Sequence, residues 1–279
     1  MSETRRKTGH DVRPYAERLE RRLFRSYKSL RQRLSHGLPR THVFVAGMQR
    51  SGTNLLMETL EWSPYTDVYH ETDARAFDNY EMRDPSVIHG LAQRSPAPFF
   101  VIKALCELDR LRELLDDFAP AKVVWIVRHY HDSTNSAVRS FGNFVPQLLR
   151  LSKNKDACTW RGRGMSDATQ DLIREIARPD MGELSAAAVT WYYRNTLFFD
   201  QGLHLDPRVA LLLYEDLARD PTGRICALCD FLHIPGAGPW MTRFVHSRSV
   251  RKTQAPTLLP AVEAACSGLM ERFRALPSL

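Results

Sequence analysis

Residues 43–56 combine an apolar strand, a glycine-containing loop and an apolar helical pattern. Gly47 and Gly52 have the Gly-x-x-x-x-Gly spacing of a loop that wraps a phosphate, because the unpaired N–H groups at the start of the following helix face an anion. Thr53 stands where a nucleotide triphosphatase has its lysine, and Asn54 stands where the magnesium-binding Ser or Thr would be. We therefore expect a phosphate-bearing donor other than ATP–Mg, without a metal.

A second candidate anion site follows the apolar stretch 122–127, which is typical of a buried strand in a parallel sheet. Arg128 comes directly after this strand, and Ser136 lies in the helical segment behind it. Ligands of open α/β sheets bind at the carboxyl ends of the strands. Arg128 and Ser136 are therefore predicted to converge on one phosphate.

Together, the two segments resemble the sulfotransferase family that uses 3′-phosphoadenosine 5′-phosphosulfate (PAPS). The match runs from about Thr41 to Pro235 and includes a Tyr-Glu-Asp-Leu stretch at 214–217 that is followed by Asp220-Pro221. In this family the first loop binds the 5′-phosphosulfate, and the Arg and Ser of the second segment bind the 3′-phosphate. The resemblance implies a donor site formed by Arg50, Ser51, Gly52, Thr53, Asn54, Arg128 and Ser136.

A C-terminal segment carries two further donor-site candidates. Many relatives close the 3′-phosphate site with an Arg-Lys-Gly segment near the end of the domain. Arg251 and Lys252 match the first two of these residues, whereas Thr253 replaces the glycine. The resemblance therefore extends the predicted cofactor site to Arg251 and Lys252.

The resemblance also implies catalytic roles. Arg50 stands at the position of a catalytic lysine in many sulfotransferases, and an arginine there can stabilise negative charge but is a poor proton donor. Lys103 ends the apolar strand 99–103 and matches a family lysine near the reacting centre. Both residues are expected to stabilise the charge that develops during transfer.

The general base is less directly indicated. Many cytosolic sulfotransferases have a histidine two residues beyond the strand-end lysine, but Leu105 is found there. Glu71, followed by Thr72, instead resembles the base of the protein-tyrosine sulfotransferase branch. We predict Glu71 as the base, since partial burial can raise the pKa of a carboxyl group. His70 is the alternative, although strand alternation would turn it to the other face.

The pattern of strands and helices predicts an α/β fold with a P-loop-like, three-layer arrangement: a mainly parallel central sheet flanked by helices. Strands are predicted at 42–47, 66–70, 99–103, 122–127 and 208–213. Helices are predicted at 53–62, 107–118, 133–142, 183–200, 216–232 and 260–274. Residues 143–182 mix basic residues with glycine and tryptophan, which suits a loop on the acceptor side or a solvated connector.

The N-terminal segment differs from the rest of the chain in charge. Residues 1–40 carry twelve Lys/Arg and four Asp/Glu, a net charge of +8, whereas the whole chain carries +7. Apolar residues recur every three or four positions from Val12 to Leu34, which predicts an amphipathic helix. We divide the chain into a basic helical arm at 1–38 and a sulfotransferase domain at 39–279. The arm either packs on the domain or contacts an anionic membrane surface.

The remaining features bear on the cellular setting and the acceptor. The five cysteines are scattered without a zinc-binding pattern, and no apolar run is long enough to span a bilayer. We expect a cytoplasmic or peripherally membrane-bound protein that does not bind nucleic acid. The acceptor is predicted to be a hydroxyl on a carbohydrate or lipid-linked glycan, with a peptide tyrosine or a small molecule second. A kinase-like phosphotransferase and a non-catalytic nucleotide-binding protein are the alternatives.

Overall fold

The computed structural model describes residues 13–34, 40–242, 245 and 255–279. Its strands are β1 (Thr41–Ala46), β2 (Thr66–Tyr69), β3 (Phe77–Asp78), β4 (Glu81–Met82), β5 (Phe99–Ala104), β6 (Ala121–Val127) and β7 (Val209–Leu213). The helices are α1 (Arg13–Leu34), α2 (Thr53–Glu61), α3 (Pro85–Arg94), α4 (Leu111–Asp117), α5 (Tyr130–Ser140), α6 (Phe144–Lys153), α7 (Asp167–Ile176), α8 (Glu183–Asp200), α9 (Tyr214–Arg219), α10 (Pro221–Leu232), α11 (Pro239–Thr242) and α12 (Pro260–Arg274).

Five strands form one parallel sheet in the order β2-β5-β1-β6-β7, and β3 and β4 form a separate antiparallel hairpin. The register pairs Val45 of β1 with Lys103 of β5 and Ala46 of β1 with Trp125 of β6. The carboxyl ends of these three neighbouring strands therefore meet at one edge of the sheet. The loops that follow them are brought together there.

Alternation along each strand separates two apolar layers, because successive side chains point to opposite faces. Val43 and Val45 pack with α2, α9 and α10 on one face. Phe44 and Trp125 pack on the other face with α8 and α12. The predicted three-layer α/β architecture, with a parallel central sheet and helices on both faces, is confirmed.

The helix α1 packs along β2, the edge strand of the sheet. The side-chain amide of Gln32 donates a hydrogen bond of 2.8 Å to the carbonyl of Thr66, and Lys28 Nζ donates one of 2.7 Å to the carbonyl of Glu61. The rings of Phe24 and Trp62 lie 4.7 Å apart. An exposed sheet edge is a pairing surface for other chains, and α1 covers part of it.

Several predicted boundaries were wrong for identifiable reasons. Residues 143–182 are not a loop, since α6, α7 and a 3₁₀ helix at Asp156–Arg161 occupy most of this segment. The predicted helix 216–232 is divided because Asp220 caps α10, accepting from Gly223 N at 2.9 Å, and Pro221 starts it. The helix α3 was missed although Asp84 followed by Pro85 is a typical start signal.

No described helix combines the length and apolarity needed to cross a bilayer. Likewise, the described residues contain no group of three or more His, Cys, Asp or Glu side chains placed to hold a metal ion.

Candidate active site

The loop between β1 and α2 depends on two glycines. Gly47 has φ +147° and Gly52 has φ +106°, a region that side chains rarely adopt. A Cβ atom would lie 2.4 Å from the Ile126 carbonyl oxygen at Gly47, and 2.5 Å from the Tyr214 ring at Gly52. Ser51 closes the turn by donating its hydroxyl to the carbonyl of Met48 at 2.7 Å. Only glycine fits at both positions.

The loop leaves the start of α2 open to an anion. Within the described residues, no side chain caps this helix, and its first backbone bond runs from Leu56 N to the Gly52 carbonyl at 3.1 Å. The preceding N–H groups of a helix have no partner inside it, and they favour negative charge. The predicted residues Thr53 and Asn54 occupy this first turn.

Lys103, Glu71 and Asn54 form a polar cluster at the carboxyl edge of the sheet. Lys103 Nζ lies 2.5 Å from Glu71 Oε1 and also donates to Asn54 Oδ1. The Lys103 side chain is 3% exposed and that of Glu71 is 16% exposed. Burial lowers the pKa of Lys103, and the adjacent Glu71 carboxylate opposes this decrease.

Arg50 and the second anion segment approach each other across the cleft. Arg50, at φ 71°, donates from Nε to the Ser136 hydroxyl at 2.8 Å. Arg128 directly follows β6, with its guanidinium over the Tyr214 ring at 4.7 Å and 3.7 Å from Asp132. The structure therefore places Arg50, Arg128 and Ser136 on one cleft, with the direct contact between Arg50 and Ser136 rather than between Arg128 and Ser136.

Two cavities meet at this cluster. The smaller, of about 230 Å³, is lined by residues of the first loop and by Lys103, Arg128, Ser136 and Tyr214. The larger, of about 820 Å³, extends towards α6, α8 and the segment 157–161. Four residues border both cavities: Gln49, Glu71, Leu105 and Phe141. A group bound in one cavity can therefore contact a group bound in the other beside Glu71.

The alternative base lies elsewhere. His70 Nε2 is 3.9 Å from Glu61 Oε2 on the side of α2, and it does not line either cavity among the described residues. Arg251 and Lys252, predicted to close the donor site, lie outside the described residues. Their placement stays a prediction.

A family profile described as the sulfotransferase domain matches residues 40–262. The match covers most of the chain, including the glycine loop, Glu71, Lys103 and the Arg128–Ser136 segment. The chain belongs to the sulfotransferase family. The predicted family and enzyme class are thus confirmed, and the kinase-like alternative was wrong.

Solved structures of sulfotransferases share the fold. The sulfotransferase domain from the curacin biosynthetic pathway matches with a TM-score of 0.52 and 17% identity, covering 84% of this chain and 98% of that domain. A sulfotransferase from Alicyclobacillus acidocaldarius matches with a TM-score of 0.52 and 18% identity, covering 85% of this chain and 96% of its own. No curated protein gives a significant match.

Several residues of the sulfotransferase cavities were not identified from the sequence. Tyr214 was interpreted only as part of a helix start, yet its ring packs against the guanidinium group of Arg128. The walls of the larger cavity include Tyr80, Phe141, Phe144, Gln147, Arg150, Tyr193 and Arg194. They come from the β3–β4 hairpin, α5–α6 and α8, so that no short motif contains them. Only the mixed composition of residues 143–182 indicated an acceptor-side segment.

Proposed function

We propose that this sulfotransferase transfers the sulfuryl group of PAPS to a hydroxyl acceptor. The observation that carries the proposal is the convergence of three elements: the open start of α2, the Arg50–Ser136 contact and Arg128 line one cleft. The two cationic side chains of Arg50 and Arg128 in this cleft suit a ligand with phosphate groups at both the 5′ and the 3′ positions.

In the proposed reaction the acceptor oxygen attacks the sulfur atom, and the bond between sulfur and the 5′-phosphate oxygen breaks. The hydroxyl proton passes to Glu71, and adenosine 3′,5′-bisphosphate (PAP) leaves. Arg50 and Lys103 stabilise the negative charge on the transferring group and the leaving phosphate. The ion pair of Lys103 with Glu71 holds the carboxylate at the junction of the two cavities.

The larger cavity is the proposed acceptor site. Its walls mix aromatic rings with amide and guanidinium groups, which suits a sugar ring with several hydroxyl groups. A saccharide or a lipid-linked glycan is therefore the proposed acceptor, ahead of a peptide tyrosine. Incubation with radiolabelled PAPS and panels of glycan, lipid, phenol and peptide acceptors would identify the class.

The donor site is tested by comparing PAP with AMP, which lacks the 3′-phosphate. The protein should bind PAP about 10- to 100-fold more tightly, since a charge-assisted hydrogen bond contributes about 1.5–3 kcal/mol. Arg128→Ala should abolish this preference in titration calorimetry.

Arg139→Ala is the matched control, because Arg139 is an exposed arginine on α5 whose Nε donates within its own helix. This variant should keep the preference for PAP. Equal affinity of the unmodified protein for PAP and AMP would contradict the assigned donor site.

A further inference from the structure

Among its described lining residues, the larger cavity has more positively charged than negatively charged side chains. Arg150, Arg161 and Arg194 line it, and the only carboxylate among its described lining residues is Glu71, which is paired with Lys103. Arg194 is buried and donates to the carbonyls of Trp160 and Leu105, so that it holds the wall. Arg150 and Arg161 form no ion pair within the described part of the chain, and Arg161 lies over the Trp160 ring at 4.4 Å.

We propose that the acceptor carries an anionic group, a carboxylate, sulfate or phosphate, which Arg150 and Arg161 recognise beside the aromatic ring of Trp160. This inference rests on the proposed function, since it places the acceptor in the larger cavity. An arginine without a carboxylate partner, in a concave site, attracts anions because low-dielectric walls focus its field. Neutral sugars would leave both guanidinium groups without an anionic partner.

The test compares 4-nitrophenyl β-D-glucuronide with 4-nitrophenyl β-D-glucoside, which carries a hydroxymethyl group in place of the C6 carboxylate. Binding of each sugar to the PAP-saturated protein is measured by calorimetry. The glucuronide should bind at least about tenfold more tightly, and Arg150→Gln combined with Arg161→Gln should remove the difference. The control Arg139→Gln should retain it.

Equal binding of the two sugars, including no detectable binding of either, would overturn the proposal, and so would a preference that survives the double substitution. PAP affinity is measured in the same samples. Intact PAP binding together with equal sugar binding contradicts only the anionic acceptor, whereas loss of PAP binding in the unmodified protein contradicts the donor site itself.

A second, independent inference starts from the exposed apolar side chains of helix α1. Its inner face, with Phe24, Lys28 and Gln32, packs on β2 and the end of α2. Five large apolar side chains project from the opposite face and are 47–73% exposed: Leu19, Leu23, Tyr27, Leu30 and Leu34. At 100° per residue these five positions fall within one stripe of the helix.

We infer that this outer stripe of α1 binds an anionic membrane surface while the inner face remains on the domain. The exposed Arg22 and Arg33 lie along one border of the stripe in the helical projection, and residues 1–40 carry a net charge of +8. An apolar face with basic flanks is the pattern of a helix that lies in a lipid interface. Pairing with the same stripe of a second copy would bring two strongly basic arms together.

The test uses the full chain with vesicles containing 30% phosphatidylserine in phosphatidylcholine. The combined substitution Leu23→Gln and Leu30→Gln should reduce vesicle binding at least about tenfold while leaving thermal stability unchanged, because both side chains point away from the domain. Phe24→Gln is the matched control: it removes an inner-face contact and should lower the melting temperature while vesicle binding persists.

Equal binding to pure phosphatidylcholine would overturn the anionic-surface proposal, as would vesicle binding that the double substitution does not change. Analytical sedimentation without vesicles tests whether a second copy of the chain binds the stripe instead of a membrane. A dimer that the double substitution dissociates would assign the stripe to a second copy of the chain and overturn the membrane role.

Discussion

At the residue scale, Glu71 and Lys103 depend on each other. Glu71 follows β2 and Lys103 lies near the end of the neighbouring strand β5, and the two side chains form a short ion pair in a nearly buried position. Removing one member of a buried pair leaves an uncompensated charge, which typically costs about 3–5 kcal/mol. A substitution at Glu71 therefore has to keep hydrogen bonding to Lys103 if its catalytic role is to be measured separately.

Glu71→Gln retains the shape and a hydrogen-bonding oxygen but loses proton affinity. We expect turnover to fall about 10²- to 10⁴-fold, the usual contribution of general base catalysis, with PAP affinity little changed. Steady-state kinetics with radiolabelled PAPS and PAP calorimetry give the two quantities. His70→Gln is the control and should keep nearly normal turnover, because His70 lies towards Glu61. The opposite ranking of the two variants would move the base to His70.

At the element scale, the conformation of the glycine loop depends on its missing Cβ atoms, and the packing of α1 depends on a partly buried lysine. The loop allows β1 to pass into α2 close to β6 because Gly47 and Gly52 have no Cβ. The helix α1 packs the partly buried Lys28 against the end of α2 and the edge strand, which makes its packing dependent on protonation. Each effect can be tested by one substitution.

Gly52→Ala should weaken PAP binding and lower stability. The new Cβ would meet the Tyr214 ring at 2.5 Å, and the positive φ adds about 1–3 kcal/mol of strain. Gly236→Ala is the matched control, since Gly236 also has positive φ (+71°) but nothing lies near its Cβ position. Calorimetry and thermal unfolding of both variants separate the steric clash from backbone strain. A loss of PAP affinity that is equal in both would contradict this explanation.

The packing of α1 should strengthen as pH rises from about 8 to 10. Burial lowers the pKa of Lys28 from 10.5 to about 8, so that the unfolded chain binds more protons than the folded chain between these values. The free energy of unfolding then increases with pH over this window. The quantity to measure is the difference in unfolding free energy between the full chain and a chain lacking residues 1–38.

Lys28→Met is the control for this pH dependence, because methionine occupies a similar volume without a titrating group. The difference between the full and shortened chains should then become flat from pH 8 to 10. A slope that persists in Lys28→Met would assign the effect to another group.

At the scale of the whole molecule, the sheet order brings together parts of the chain that are far apart in sequence. β5, β1 and β6 are neighbours, so that Lys103 near the end of β5 and the loop residues Arg50 and Arg128 behind β1 and β6 meet at one edge. A ligand that contacts all three residues links most of the domain. Donor binding should therefore raise the melting temperature of the entire domain.

PAP at 100 times its dissociation constant should stabilise the folded state by about 2.7 kcal/mol. For a domain of this size, about 1 kcal/mol raises the melting temperature by about 2–4 °C, so that the expected increase is about 5–10 °C. AMP at the same concentration should give a smaller increase. Differential scanning calorimetry with and without magnesium provides the measurement, and a shift that requires magnesium would contradict a donor site without a metal.

The sequence alone determined the parallel α/β sheet and the glycine loop. It also indicated that Glu71, Lys103 and Arg128 lie at strand ends and that Ser136 lies on the helix after β6. These are local properties: apolar strand runs, glycine spacing and polar residues directly after strands are readable within short windows. Expected strands 66–70 and 99–103 correspond to β2 and β5 with shifts of one residue. The prediction of a loop or connector at 143–182 was wrong because the polar composition of this segment obscured the helical spacing of Leu172, Ile173 and Ile176.

Tertiary structure decided which residues share a cavity and which face of a helix is exposed. The larger cavity joins Tyr80, Phe141, Trp160 and Tyr193 from separate elements, and their separation along the chain gives no indication of contact. In α1 the sequence left membrane contact and packing on the domain as alternatives. The structure shows that Phe24 and Gln32 are used for packing while the leucine stripe remains exposed, because a helix has two faces and the domain covers only one.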